Sequence, residues 1–157
     1  FHLQFLIKMS ISIIWMKSMS RVLFIDSDVI LDVLEKREPF YEYSAQILTL
    51  GDEKKIQLVT TSLVIANVYY LLRKHLGIER AKENLRKLRI LVNIVSVNEK
   101  EVDLALNSEL SDFEDALQYF TALDNGIDFV ITRNTKDYKN PKVIVQTPQE
   151  YIKSSSE

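Results

Sequence analysis

The stretch RVLFIDSDVILDVL, residues 21–34, indicates how the rest of the chain is organised. Its first six residues are a near-continuous apolar run that ends in Asp26, a pattern typical of a parallel strand covered on both faces. The apolar residues that follow are spaced for a helix. Asp26 therefore lies where a buried strand gives way to a helix, either as the N-cap of that helix or as part of a site.

Short β-branched runs recur along the chain and alternate with helical patterns. Four further runs are predicted to be buried strands: QLVTT (57–61), NIVSV (93–97), DFVIT (128–132) and VIVQT (143–147). Helical patterns occupy residues 40–50, 62–77, 79–91, 98–109 and 111–126. This alternation predicts an α/β domain of three layers, with helices on both faces of a mainly parallel sheet of four or five strands.

Several residues mark where the predicted helices begin and end. Gly51 is expected to end the helix over FYEYSAQILTL, and Gly77 to follow the next one. A capping box is predicted at residues 98–101 and another from Ser111 to Glu114.

Composition limits the classes of protein to which the chain can belong. Its 157 residues, 46% of them apolar, suit one globular domain. There is no cysteine, and His2 and His75 are the only histidines, which excludes a disulfide scaffold and a multi-histidine zinc site. Any metal would bind oxygen ligands, which favours Mg²⁺ or Mn²⁺. The lack of cysteine also suits a reducing cytoplasm, the location that we expect.

Positive charge is concentrated in one stretch, although the net charge of −2 is not that of a protein that binds nucleic acid by charge alone. Between residues 73 and 89 the only acids are Glu79 and Glu83. The cations there are Arg73, Lys74, Arg80, Lys82, Arg86, Lys87 and Arg89. They form either a solvated helix surface or an edge that contacts phosphates beside an acidic pocket.

The segment FHLQFLIKMSISIIWMKSMS, residues 1–20, is apolar, but it is interrupted by Lys8 and too short for a membrane span. No small-residue cleavage site follows it. We expect residues 1–18 to be a dispensable extension, with a membrane-surface anchor as the alternative. The folded domain is expected over residues 19–152 and a flexible tail over residues 153–157.

Polar residues lie where the predicted strands end and where the helix before the fourth strand begins. These residues are Asp26, Asp28, Asp112, Asp115, Thr132, Asn134 and Asp137. Because the carboxyl ends of parallel strands meet at one edge of a sheet, we expect these side chains to converge there. An edge rich in oxygen ligands predicts a site for a divalent metal.

Asp26 and Asp115 are the leading candidates for metal ligands, because a strand end and a first helical turn hold a carboxylate rigidly. One or two metal ions held in this way can promote the hydrolysis of a phosphodiester. Asp112 is a further candidate, with capping of its helix as the alternative.

Three more residues are assigned from the sequence either to the site or to the surrounding structure. Asn67 lies in the middle of an apolar helix, where Asn is unfavourable, and a role in the site is expected for it. Asn134 serves either the site or a turn. Asp137 is expected to be structural and to pair with Arg133.

Four motifs, in order, resemble those of the PIN-domain family. FIDSDVILDVL resembles the opening motif and TTSLVIANVYYLLRK the second, while SDFEDALQYFTAL and GIDFVITRNTKDY resemble the third and fourth. The match extends over nearly all of residues 21–148. The resemblance implies a metal-dependent ribonuclease that uses Mg²⁺ or Mn²⁺ and acts on RNA. Many members are the toxin of a bacterial toxin–antitoxin pair, so a small antitoxin and a homodimer are implied as partners.

The resemblance assigns roles to individual positions. Asp26 matches the first acid of the family and Asp115 the third. The position of the second acid is occupied by Asn67, and that of the fourth by Asn134, with Asp137 three residues later. An amide can still bind a metal through its carbonyl oxygen, but it adds no charge, which implies weaker metal binding.

Other functions share some of these features. A phosphatase of the haloacid-dehalogenase type would use Asp26 as nucleophile and Asp28 as acid–base, but it needs paired acids after a later strand and FVITRN has none. A receiver domain needs a phospho-acceptor Asp after a central strand, and neither QLVTT nor NIVSV ends in one. A PIN fold that binds RNA or a protein without cutting is the remaining alternative, because Asn67 and Asn134 stand where acids are usual.

Overall fold

A computed structural model describes residues 20–139 and 141–156, which form five strands and seven helices. The strands are β1 (Val22–Ile25), β2 (Gln57–Thr61), β3 (Val92–Val95), β4 (Phe129–Ile131) and β5 (Ile144–Gln146). The helices are α1 (Ser27–Leu34), α2 (Tyr41–Asp52), α3 (Ser62–Leu76), α4 (Ile78–Leu91), α5 (Glu99–Leu106), α6 (Phe113–Asp124) and α7 (Pro148–Ser155). The expected extension at residues 1–18 lies outside the described residues.

The five strands form one sheet in the order β3-β2-β1-β4-β5, and every neighbouring pair is parallel. At the centre, Phe24 of β1 lies opposite Val59 of β2 and Val130 of β4. The sheet confirms the predicted α/β fold. Within the sheet, β2 and β3 lie on one side of β1, and β4 and β5 lie on the other. Because such crossovers are right-handed, the connecting helices cover opposite faces.

Burial on both faces explains the apolar composition of the central strand. Leu23, Phe24 and Ile25 are completely buried, and β1 has a hydrogen-bonded strand on each side. The reversal of strand order at β1 leaves a crevice at the carboxyl end of the sheet, the place where open α/β sheets bind ligands. Within residues 20–139 and 141–156, no helix has the length and apolar character needed to cross a membrane.

Two of the predicted helix boundaries are wrong. Gly51 does not end α2 but lies inside it, where a Cβ atom would be only 2.5 Å from Cδ1 of Leu58. The glycine therefore allows α2 to pack closely on β2. The N-cap of α6 is Asp112 and not Ser111, since its carboxylate accepts a hydrogen bond from the Asp115 N–H at 3.0 Å. The side chain of Glu114 is thus not used in a capping box.

The capping box at residues 98–101 and the position of Gly77 are confirmed. The carboxylate of Glu101 accepts a hydrogen bond from the backbone N–H of Asn98 at 2.7 Å, as in a capping box. Gly77 ends α3 with a φ of 79°, a value that favours glycine.

Helix α7 was not predicted from the sequence. A capping box between Thr147 and Glu150, with Pro148 in the first turn, begins this helix. It includes residues 153–155, which were expected in a flexible tail.

Candidate metal site at the carboxyl edge of the sheet

Asp26 connects the first strand to the first helix and is held by three hydrogen bonds. Its carboxylate accepts from the backbone N–H of Ser27 at 2.6 Å, from the Gln118 amide at 3.0 Å and from the Thr132 hydroxyl at 2.9 Å. Only 8% of the residue is exposed. Asp26 therefore caps α1 and faces the site at the same time, so the two roles considered from the sequence are not exclusive. Burial raises its pKa, although the three hydrogen bonds act in the opposite direction.

Asp115 lies in the first turn of α6 and faces the same crevice, with 7% of the residue exposed. Burial raises the pKa of its carboxyl group to about 7, and the negative charges of Asp26 and Asp112 add to the effect. One carboxylate oxygen accepts a hydrogen bond from the side-chain amide of Asn134 at 3.1 Å. Two buried acids that repel each other are arranged to gain from a bound cation.

A cleft of about 180 Å³ lies between these carboxylates and the N-terminal halves of α1 and α3. Its lining is almost entirely polar and comprises Asp26, Ser27, Asp28, Asn67, Leu71, Asp112, Glu114, Asp115, Gln118 and Asn134. The structure thus brings every candidate from the sequence to this cleft except Thr132 and Asp137. Thr132 does not line the cleft but donates a hydrogen bond to Asp26, and Asp137 accepts one from Asn134.

The two asparagines at the cleft use their amide groups on neighbouring side chains. Asn67 donates to the hydroxyl of Ser27 at 3.2 Å. Asn134 donates to Asp115 and, at 2.6 Å, to Asp137. The Asn134 amide therefore lies between two carboxylates, where it reduces their repulsion.

Arg133 does not pair with Asp137, so that prediction is wrong. Its guanidinium instead lies 3.3 Å from Asp28 and 3.3 Å from Asp32, both on α1. Asp137 is close to Asn134 because the turn after β4 folds back over residues 134–137.

Glu114 and Gln118 were missed by the sequence interpretation. The sequence pattern assigns Glu114 to a capping box, yet it lines the cleft, and burial together with the charge of Asp112 raises its pKa. Gln118 is three residues after Asp115 on the same helix. That spacing places both side chains on one face of the helix, and it could have identified Gln118 as a residue of the site.

The donor set suits a hard divalent ion. The groups that face the cleft are carboxylates, amides and a hydroxyl, which are the oxygen ligands that Mg²⁺ and Mn²⁺ accept. In the part of the chain that the structure describes, no three acids are grouped closely enough to hold a metal by themselves. An ion that bound to Asp26 and Asp115 would therefore also need water among its ligands, as Mg²⁺ commonly does.

The chain belongs to the PIN domain family, whose sequence model matches residues 22–136. It is 28% identical over 137 residues to Ribonuclease VapC1 of Aquifex aeolicus, a match that covers 84% of this chain and 94% of that protein.

Solved structures share the fold. VapBC2 from Rickettsia felis, bound to a DNA fragment from its promoter, matches with a TM-score of 0.63 and 18% identity, over 80% of this chain and 98% of that chain. A toxin–antitoxin complex from Klebsiella pneumoniae matches with a TM-score of 0.62 and 22% identity. That match covers 80% of this chain and 97% of the other chain.

Proposed function

We propose that the protein is a divalent-metal-dependent endoribonuclease and the toxin of a toxin–antitoxin pair, acting in the cytoplasm. The observation that carries the proposal is the buried pair Asp26 and Asp115, at the strand edge where this family places its acids. The name of the Aquifex aeolicus relative, Ribonuclease VapC1, supports RNA as the substrate. The Klebsiella pneumoniae complex supports an antitoxin partner.

Five side chains of the cleft would have distinct parts in this chemistry. A bound Mg²⁺ or Mn²⁺ would supply Lewis acidity and an activated water. Asp26 and Asp115 would hold the ion, and Gln118 fixes the carboxylate of Asp26 through its hydrogen bond. Glu114 has a raised pKa and an exposed position at the cleft, which suits a group that accepts a proton from water. Asp112 adds negative charge to the cleft and holds the start of α6.

Cleavage of RNA with and without metal tests this function. The protein is incubated with a mixed-sequence RNA oligonucleotide in Mn²⁺, and parallel reactions contain EDTA. We expect cleavage that EDTA abolishes and that Asp26→Asn lowers by roughly 100-fold or more. Asp103→Asn is the matched control, because Asp103 is exposed on α5 and does not line the cleft. Cleavage that persists in EDTA would contradict metal dependence.

A second function is favoured by the two amides of the cleft. Asn67 and Asn134 contribute N–H groups to neighbouring side chains, and they add no negative charge for a metal. The protein would then bind RNA or a protein partner without cutting. This alternative predicts that RNA is bound in a gel-shift assay but remains intact in Mn²⁺, and that Asn67→Glu with Asn134→Asp introduces cleavage.

A further inference from the structure

A second cavity, of about 360 Å³, lies next to the acidic cleft, beyond the carboxyl ends of β4 and β5. Its volume is within the range of about 300–1,000 Å³ that small-molecule sites occupy. Its lining consists of ring side chains, one guanidinium and two polar side chains: Pro39, Phe40, Tyr43, Arg133, Thr147, Pro148 and Gln149.

Arg133 forms the boundary between the cavity and the acidic cleft. One of its terminal nitrogens lies 3.3 Å from the carboxylate of Asp28, which lines the cleft. The centre of the guanidinium lies 4.2 Å from the centroid of the Phe40 ring, which lines the cavity. A molecule bound in the cleft therefore needs to extend past only one side chain to reach the cavity.

The guanidinium also forms an ion pair with a buried acid. Its Nε atom lies 3.3 Å from the carboxylate of Asp32, which is completely buried in α1. Phe40, by contrast, is 41% exposed at the start of α2. The guanidinium lies over one face of the Phe40 ring, so a base can stack on the exposed part of the ring or on the outer face of the guanidinium.

We propose that this cavity binds an unpaired base of the RNA strand, next to the phosphate that is cut. The proposal rests on the ribonuclease function proposed above and specifies the substrate as single-stranded. The distance is suitable, because β1 and β5 are two strand spacings apart, roughly 10 Å along the edge of the sheet. The base would stack against Phe40 and Arg133, while the amide of Gln149 can both donate to and accept from its edge.

The test removes one base at a time from a cleavable oligonucleotide. Single abasic positions are placed on each side of the cut, and cleavage is measured under single-turnover conditions. In the wild type, we expect one abasic position to slow cleavage by roughly 5- to 150-fold, as the loss of one stacked base does. In Phe40→Ala the same abasic position should slow cleavage much less, because the ring's part of the stacking surface is gone.

Two further variants make the result specific to the ring. Phe40→Leu keeps an apolar side chain but lacks an aromatic face, and it should behave as Phe40→Ala does. Leu106→Ala removes an apolar side chain that is 66% exposed but lines neither cavity, and it should keep the sensitivity of the wild type. A wild type that is indifferent to every abasic position, or a Phe40→Leu variant that is as sensitive as the wild type, would overturn the proposal.

A binding measurement separates this proposal from the nuclease function. Oligonucleotides that carry 2-aminopurine at the same position are titrated with Asp26→Asn protein, and with the same protein carrying Phe40→Leu as well. Quenching that requires Phe40 supports the base site even where the wild type cuts nothing. If the wild type cuts RNA but shows neither quenching nor an effect of abasic positions, the nuclease function stands and the base site is rejected. An antitoxin side chain would then be the better occupant.

Discussion

The effect of metal on the thermal stability of Asp26→Asn tests the site most directly. Asp26 and Asp115 are buried, and this burial raises the pKa of both carboxyl groups, so their negative charges should gain from a bound cation. An ion that binds the folded protein stabilises it by about 2.7 kcal/mol at a concentration 100 times its Kd. For a chain of this size, that corresponds to an increase in Tm of roughly 5–10 °C.

The substitution should remove this stabilisation without disrupting the fold. The asparagine side chain has the same size as the aspartate that it replaces, and its oxygen can still accept from Ser27 and Gln118. Its NH₂ group can donate to the Thr132 hydroxyl. The weaker, uncharged hydrogen bonds cost about 1–3 kcal/mol in total, while the cost of a buried charge, several kcal/mol, disappears. The metal-free variant should therefore be as stable as the wild type or slightly more stable.

The assay is a series of melts, followed by circular dichroism, in increasing Mn²⁺. We expect the wild type and Asp103→Asn to show the full increase in Tm, and Asp26→Asn to show almost none. An Asp26→Asn protein that folds normally and keeps the full increase would mean that Asp26 is not a ligand. The nuclease proposal would then lose its main support.

Other predictions concern neighbouring groups. Asn134→Asp places a third negative charge between Asp115 and Asp137, so the metal-free protein should lose about 1–3 kcal/mol while its Mn²⁺-induced increase in Tm grows; an unchanged increase would exclude this position from the metal site. Burial raises the pKa of Asp32 to about 6, so the folded state binds this proton more tightly than the unfolded chain does. The resulting stability is complete below about pH 4 and is lost as the pH rises to 6, and Asp32→Asn should flatten the urea-unfolding profile over that window by about 1–3 kcal/mol. An equally steep profile in the variant would show that another group is responsible. Helix α3 exposes 48% of Tyr70, and we expect light scattering to give a homodimer that Tyr70→Glu weakens, whereas a wild-type monomer at high micromolar concentration would rule the dimer out.

Local patterns in the sequence were sufficient for the sheet and for the two principal acids. Apolar runs bounded by polar residues identify buried strands, and parallel strands bring their carboxyl ends to one edge. Asp26 and Asp115 could therefore be placed near each other without any knowledge of their contacts.

The contacts that complete the site depend on partners far away in the sequence. Arg133 had Asp137 as a nearby acid, but the fold places α1 beside it, and Asp28 and Asp32 become its partners. The role of Glu114 depended on whether α6 is capped by Ser111 or Asp112, a difference of one residue that spacing alone does not decide.

Two of the hydrogen-bond partners of Asp26 are synthesised long after Asp26 itself. Its partners Gln118 and Thr132 are 92 and 106 residues further along the chain. A ribosome that has made β1, β2 and β3 has therefore produced most of the sheet but no complete cleft. If the protein cuts RNA in the cell that makes it, unfinished chains and fragments that stop before β4 should be harmless. The order of the strands thus delays completion of the cleft until almost the whole domain has been synthesised.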